Sequence, residues 1–240
     1  MATIIPAILP KSRKDLEEKA AALQGLVEIV QIDAVDGKYV TPACWPYIQQ
    51  NDPFFQSVEN GEMLPYVGEL RYEVDMMISD PEKSIGTWLS AGVDRVVLHA
   101  ESTNYLARVI KEIQVRYGHE KDFAPDLLSL GIAVNIGTDL ALIEPFMDDF
   151  DYVQFMGIRK IGAQGEPFDE NVLRKITAFK KKYYDVPVQV DGGVSLETAP
   201  ALLSAGVDRL IIGSAIWNAA NLHEQIDAFH ALVQEYGRHT

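Results

Sequence analysis

Two aspartates close apolar runs in the same way. Val30-Gln31-Ile32-Asp33 ends one run and Val188-Gln189-Val190-Asp191 ends another, and a turn containing glycine follows each. Side chains alternate along an extended strand, so Gln31 shares a face with Asp33, and Gln189 with Asp191. Two carboxyl groups on opposing walls of a small cavity are the equipment for proton exchange at one carbon: one takes the proton from the first face while the other delivers a proton to the second. A third carboxylate, Asp75, lies two residues before Met77 on the same strand face, and Met156 closes a further apolar run. Together these residues describe a cavity with three carboxylates, an amide and two polarizable thioethers. Any one of the aspartates could simply cap the turn that follows its strand. Three at rim positions argue for a shared site.

A second kind of chemistry is written in the glycines. Asp191-Gly192-Gly193 and Gly213-Ser214-Ala215 follow consecutive apolar runs, with a short helix able to start at Ser214. Backbone N–H groups of glycine turns and a helix N-terminus bind anions without needing Lys or Arg. Gly192, Gly193, Gly213 and Ser214 are therefore candidates for a phosphate seat.

These residues need a scaffold that gathers strand ends. Runs rich in Val, Ile and Leu recur at 4–9, 27–33, 72–78, 95–99, 132–136, 152–156, 186–190 and 209–212. They are continuously apolar, as expected for a parallel sheet covered by helices. Between them lie amphipathic stretches: one is marked by Leu16, Ala20 and Leu23, one is opened by Pro81 and carries Ile85, Trp88 and Leu89, and others span 168–183, 196–203 and 222–233. Ser90-Ala91-Gly92-Val93-Asp94-Arg95 returns 114 residues later as Ser204-Ala205-Gly206-Val207-Asp208-Arg209. Each copy reads as a helix cap turning into a strand and suggests two similar half-barrels. Eight strand–helix units in 240 residues are the arithmetic of an α/β fold of the (β/α)8 TIM-barrel type, with 1–240 as one domain and the reactive groups at the carboxyl ends of the strands.

Composition narrows the partners. The chain has 48% hydrophobic residues, too many for disorder, and 21 Lys and Arg against 35 Asp and Glu, a formal charge of −14. That balance offers no electrostatic footprint for nucleic acid or anionic lipid. The single cysteine, Cys44, excludes an intramolecular disulfide, and the N-terminus lacks a signal peptide's basic start and apolar run, so the expected compartment is cytoplasmic. No apolar stretch reaches membrane-spanning length, and no membrane partner is expected.

With these residues placed, the chain resembles the ribulose-phosphate 3-epimerase family. The matching pieces are Pro6-Ala7-Ile8-Leu9, Asp33-Ala34-Val35-Asp36-Gly37-Lys38-Tyr39-Val40, Met76-Met77-Ile78-Ser79-Asp80-Pro81, Val190-Asp191-Gly192-Gly193 and Gly213-Ser214-Ala215-Ile216. The resemblance implies a barrel of the ribulose-phosphate-binding type and a metal-dependent enzyme that inverts C3 of a ketopentose 5-phosphate. It implies Asp33 and Asp191 as the acid/base pair, a sugar phosphate seated on Gly192, Gly193, Gly213 and Ser214 with Met77 and Met156 lining the cavity, and a homo-oligomer.

The chain also departs from the family pattern. Ala7 stands where the family has serine, Gln31 and Asp75 stand where it has metal-binding histidines, and Val35 replaces a methionine. The loop after the sixth run reads Lys160-Ile161-Gly162-Ala163-Gln164-Gly165, with extra residues before Phe168. A ligand set of Gln31, Asp33, Asp75 and Asp191 is all oxygen and favours Mg2+ or Mn2+ over Zn2+ or Fe2+. The alternative is no metal, in which case three close carboxylates repel and at least one keeps a proton near neutrality. Two further readings stay open: another isomerase or lyase reaction on the same barrel, for which Lys160 is the candidate Schiff base, and a non-catalytic sugar-phosphate binder. His99 reads as a partly buried, hydrogen-bonded histidine, His223 and His230 as surface residues, and Cys44 as a buried or incidental thiol. Arg159 and Lys38 are either phosphate neutralisers or solvent-facing charges.

Overall fold

A computed structural model describes residues 2–117 and 128–237. Eight parallel strands close into a barrel in sequential order: β1 (Thr3–Ile8), β2 (Ile29–Val35), β3 (Arg71–Met77), β4 (Val93–His99), β5 (Ser129–Val134), β6 (Tyr152–Met156), β7 (Val188–Asp191) and β8 (Arg209–Ile212). Helices α1 (Arg13–Leu23), α2 (Pro53–Glu59), α3 (Pro81–Ser90), α4 (Leu106–Tyr117), α5 (Asn171–Lys182), α6 (Ala199–Ala205), α7 (Ser214–Trp217) and α8 (Leu222–Tyr236) alternate with the strands. Only short 3-10 turns, Leu140–Leu142 and Glu144–Asp149, fill the β5–β6 connection. The eight-run reading of the sequence is thus borne out, with the bounds of six strands shifted by one to three residues.

Local chemistry sets the helix ends. Ser12 opens α1 by accepting from the Asp15 backbone N–H, and Asn221 opens α8 by accepting from those of His223 and Glu224. Pro81 sits in the first turn of α3, where its missing N–H costs nothing. The repeated Ala-Gly pair closes α3 and α6, with Gly92 and Gly206 at φ 98 and 101, a left-handed conformation that glycine adopts without strain. Buried apolar faces of the helices, among them Leu16, Ile85, Trp88, Phe179 and Phe229, pack on the outward strand residues Val30, Ile32, Val74, Val96 and Leu210. That layer between helices and sheet is the main core.

The barrel lumen is different. Its inward positions carry Gln31 and Asp33 on β2, Glu73 and Asp75 on β3, Arg95 and His99 on β4, Gln154 on β6 and Gln189 on β7, all buried. Tyr152 also points inward, and Gly131 on the neighbouring strand makes room for it: a Cβ there would stand 2.3 Å from the tyrosine ring. Hydrogen bonds therefore fill a space usually packed by branched apolar side chains.

Candidate active site

Strand register gathers the three aspartates. Asp33 and Asp75 are direct neighbours in the β2–β3 ladder, and Asp191 ends β7, paired with Met156. One carboxylate oxygen from each of Asp33, Asp75 and Asp191 lies within 4.8 Å of the others. Gln31 donates from Nε2 to Asp33 Oδ1 at 3.0 Å. Asp75 receives two N–H groups, from His99 Nε2 at 2.9 Å on Oδ1 and from Gln154 Nε2 at 3.0 Å on Oδ2.

Crowded, buried carboxyls hold protons. Burial, reinforced by the charge of Asp75, pushes Asp33 up to about 7, and burial together with Asp33 and Asp75 pushes Asp191 well above the usual carboxylate range. Burial alone would depress His99, but the charge of Asp75 and their hydrogen bond outweigh it and raise the imidazole. The site can thus offer an ionised and a protonated carboxyl side by side near neutral pH, the pairing that acid/base exchange needs.

A cavity of about 40 Å³ joins the aspartates to the glycine turns. Asp33, Asp191, Met77, Met156, Gly192, Gly193, Gly213 and Ser214 all line it. The loop after β6 closes the mouth: Ile158 and Ile161 pack with Val35, Met77 and Met156. Gln164 reaches inward and donates to the Ala7 carbonyl at 3.3 Å. Its side chain also lies close enough to Asp33 to hold that carboxyl down slightly, and it stands where a Cβ on Gly213 would be, 2.8 Å from Nε2. Such a volume holds about one water, far below the ~300 Å³ of an ordinary small-molecule pocket, so a ligand must displace this loop.

The donor set fits a cation. Gln31 is fully buried, and its Oε1 has no hydrogen-bond partner. An orphaned amide oxygen on a side chain bonded to one of three clustered carboxylates is what a hard cation would satisfy.

Residues 3–217 match the profile described as the ribulose-phosphate 3 epimerase family. The chain belongs to the ribulose-phosphate 3-epimerase family. Ribulose-phosphate 3-epimerase of Bacillus subtilis (strain 168) is 30% identical over 92% of this chain and 91% of its own. The chloroplastic ribulose-5-phosphate-3-epimerase of Arabidopsis thaliana is 29% identical over 95% of this chain and 76% of its own. Among solved structures, KGPDC from Streptococcus mutans superposes with a TM-score of 0.68 at 16% identity over 98% of this chain and 99% of its own, which speaks for the fold alone.

Membership sharpens what the departures mean. Neither Gln31 nor Asp75 lines the cavity; both lie beneath it, tied to Asp33 and to His99 and Gln154. Gln164 brings an amide to the carbonyl of Ala7, the position where the epimerase family has serine. His99 is hydrogen-bonded, as the sequence suggested, and fully rather than partly buried, its partner being Asp75 on the adjacent strand. Lys160 is exposed and outside the cavity, which removes the desolvation a Schiff-base lysine needs. Arg159 pairs with Asp169 at 2.5 Å, and Lys38, His223 and His230 do not line the cavity. Cys44 is buried, its thiol donating to the Asp33 carbonyl, and burial lifts it to about 12. Gln154 and Gln164 escaped the sequence reading. The period-two pattern carries a signal for Gln154, which shares a strand face with Met156, whereas nothing in the sequence places a loop amide over Asp33.

No lysine or arginine is among the described residues lining the cavity, and Glu166 is. An anion at this end must therefore rely on the backbone. Gly193 has φ 69, and a Cβ on it would come within 2.7 Å of the Phe168 Cα, a backbone atom that cannot swing aside. Gly193→Ala is expected to raise KM for a phosphorylated ketose by about tenfold or more with a smaller change in kcat, since ligand seating rather than proton transfer is disturbed. Steady-state kinetics on the variant measure it.

Proposed function

We propose that the protein is a ketose-phosphate 3-epimerase in which Asp33 and Asp191 exchange protons at the carbon next to the ketone. The observation that carries the reading is that one cavity has both carboxyls on its walls and Gly192, Gly193, Gly213 and Ser214 at its end. Phosphate on the glycine turns and the start of α7 would anchor the sugar so that its C3 lies between β2 and β7. The ionised partner takes the C3 proton and the protonated one returns a proton to the opposite face. The roles reverse for the other epimer. Met77 and Met156 form the soft wall against which the planar intermediate lies.

Charge builds on the C2 oxygen when the proton leaves, and groups that meet such an oxyanion contribute about 2.7–4 kcal/mol each. A divalent cation, Mg2+ or Mn2+ by the all-oxygen donor set, would be held by Asp33, Asp191 and Gln31 within the cluster that includes Asp75, and would supply Lewis-acid stabilisation of that oxyanion. Gln164, once displaced with its loop, leaves Asp33 free to meet the substrate, and reclosure of Ile158 and Ile161 excludes water from the intermediate.

The deciding experiment incubates the protein with ribulose 5-phosphate and related ketose phosphates in deuterated water containing Mg2+ or Mn2+. Deuterium at C3 with inversion supports the reading. Absence of exchange in every ketose phosphate overturns it.

A further inference from the structure

The barrel lumen contains a continuous chain of hydrogen bonds that ends on one of the three aspartates and on no other. At its base Glu73 Oε2 accepts from Arg95 Nε at 3.1 Å and from the Tyr152 hydroxyl at 2.7 Å. Glu73 Oε1 accepts from Gln189 Nε2 at 2.9 Å, and the same amide nitrogen donates to Gln154 Oε1 at 2.7 Å. Gln154 then donates from Nε2 to Asp75 Oδ2 at 3.0 Å. Each link fixes the next. With both Gln189 N–H groups spent on acceptors, the Gln154 carbonyl must face Gln189, so its N–H must face Asp75. Reversing that amide would set its N–H groups against those of Gln189 and its carbonyl against a carboxylate. The other oxygen of Asp75 is taken by His99 Nε2 at 2.9 Å.

Gln31 has the opposite arrangement. Its N–H is spent on Asp33 Oδ1, and its Oε1 is left buried without a partner. Asp33 and Asp191 line the cavity, whereas Asp75 and Gln31 lie beneath it, so what separates those two is their hydrogen bonding.

We infer that the three carboxylates divide their work: Asp33 and Asp191 face the cation and substrate, the Gln31 amide oxygen completes the cation's set from beneath, and Asp75 is committed to the protein as the acceptor for His99 and Gln154. On this inference, which rests on the epimerase reading for the identity of the site, Asp75 and Gln154 are positioning residues. The relay from Arg95 spends one lone pair on each oxygen of Asp75 and aims that carboxylate at His99 and Gln154, so that the cation is presented chiefly with two carboxylates and one neutral oxygen. Such a set leaves the bound cation with less compensating negative charge, and so more able to stabilise a developing oxyanion, than three carboxylates would.

Mn2+ binding to the purified full chain, followed by the electron paramagnetic resonance signal of the free ion, tests this independently of turnover. Gln31→Leu, Asp33→Asn and Asp191→Asn are expected to weaken Mn2+ by well over tenfold, whereas Asp75→Asn, one layer removed, weakens it by no more than about tenfold and leaves the spectrum of the bound ion unchanged. Gln154→Met frees Asp75 Oδ2; it is expected to tighten Mn2+ by about threefold or more, to alter the bound spectrum and to lower kcat. Thermal melts matched to the wild type show that each variant folds. Loss of Mn2+ binding in Asp75→Asn as severe as in Asp33→Asn overturns the division, as does weakened binding in a folded Gln154→Met, or no Mn2+ binding by the wild type at millimolar concentration. Deuterium exchange reads the epimerase assignment separately: exchange can persist when the Mn2+ pattern fails, and the Mn2+ pattern can hold when exchange fails.

Discussion

Asp191→Asn is expected to slow epimerisation by orders of magnitude while sparing half of the proton chemistry. With Asp33 left to act alone, a proton can leave and return on one face of C3, so deuterium from the solvent should enter one epimer without inverting it. Asp33→Asn should show the mirror behaviour, with exchange confined to the other epimer. A general acid or base contributes about 10²–10⁴-fold, and the loss in inversion rate should lie in that range for each variant. Proton NMR of the ketose phosphate in deuterated water separates exchange from inversion. A loss below tenfold in either variant, or exchange into both epimers by both variants, would remove the two-aspartate mechanism. The substitutions should leave the fold intact, because an amide replaces a buried carboxyl that already tends to hold a proton at neutral pH.

The second large effect is on stability against pH. Asp33 in the folded protein is raised from 3.8 to about 7 by burial and by Asp75. Below pH ~4 both folded and unfolded chains carry the proton and the contribution to stability is complete; as pH rises from ~4 to ~7 the unfolded chain ionises first and stability falls, levelling once the folded group has also ionised. A shift of this size corresponds to a loss of up to about 4 kcal/mol over that window. Asp191, raised by burial and by Asp33 and Asp75, acts in the same direction. Without added metal, the wild type is expected to lose several degrees of Tm between pH 5 and pH 8, and Asp33→Asn to lose distinctly less. Thermal melts over that range measure the difference. Equal slopes for the two proteins would mean that Asp33 is not the group responsible. A site held this way trades stability for reactivity, since the same crowding that destabilises the ionised pair keeps one member protonated and ready to donate.

The eight-strand barrel and the two proton-exchanging candidates were legible from residue pattern. Strand periodicity and run ends were enough because a parallel barrel buries the outer strand face under helices, which writes a continuous apolar signal, and puts strand carboxyl ends at one rim. The Asp191-Gly192-Gly193 and Gly213-Ser214 turns were legible because glycine at a tight turn is demanded by backbone conformation, which residue type reports directly. The family resemblance further implied that Gln31 and Asp75 stand where its members have imidazoles.

What each of those replacements does was decided by tertiary structure alone. Asp75 is matched by His99 from β4 and by Gln154 from β6, 79 residues away, and the direction of the Gln154 amide depends on Gln189, Glu73 and Arg95 in turn. Hydrogen-bond direction across a closed lumen is a property of several strands at once, and no local pattern encodes it. The placement of Gln164 over Asp33 and Gly213 is likewise set by how the β6 loop packs Ile158 and Ile161 onto the barrel mouth. Loops carry little periodicity, so the physical reason these contacts were invisible is that they arise from packing between segments distant in the chain.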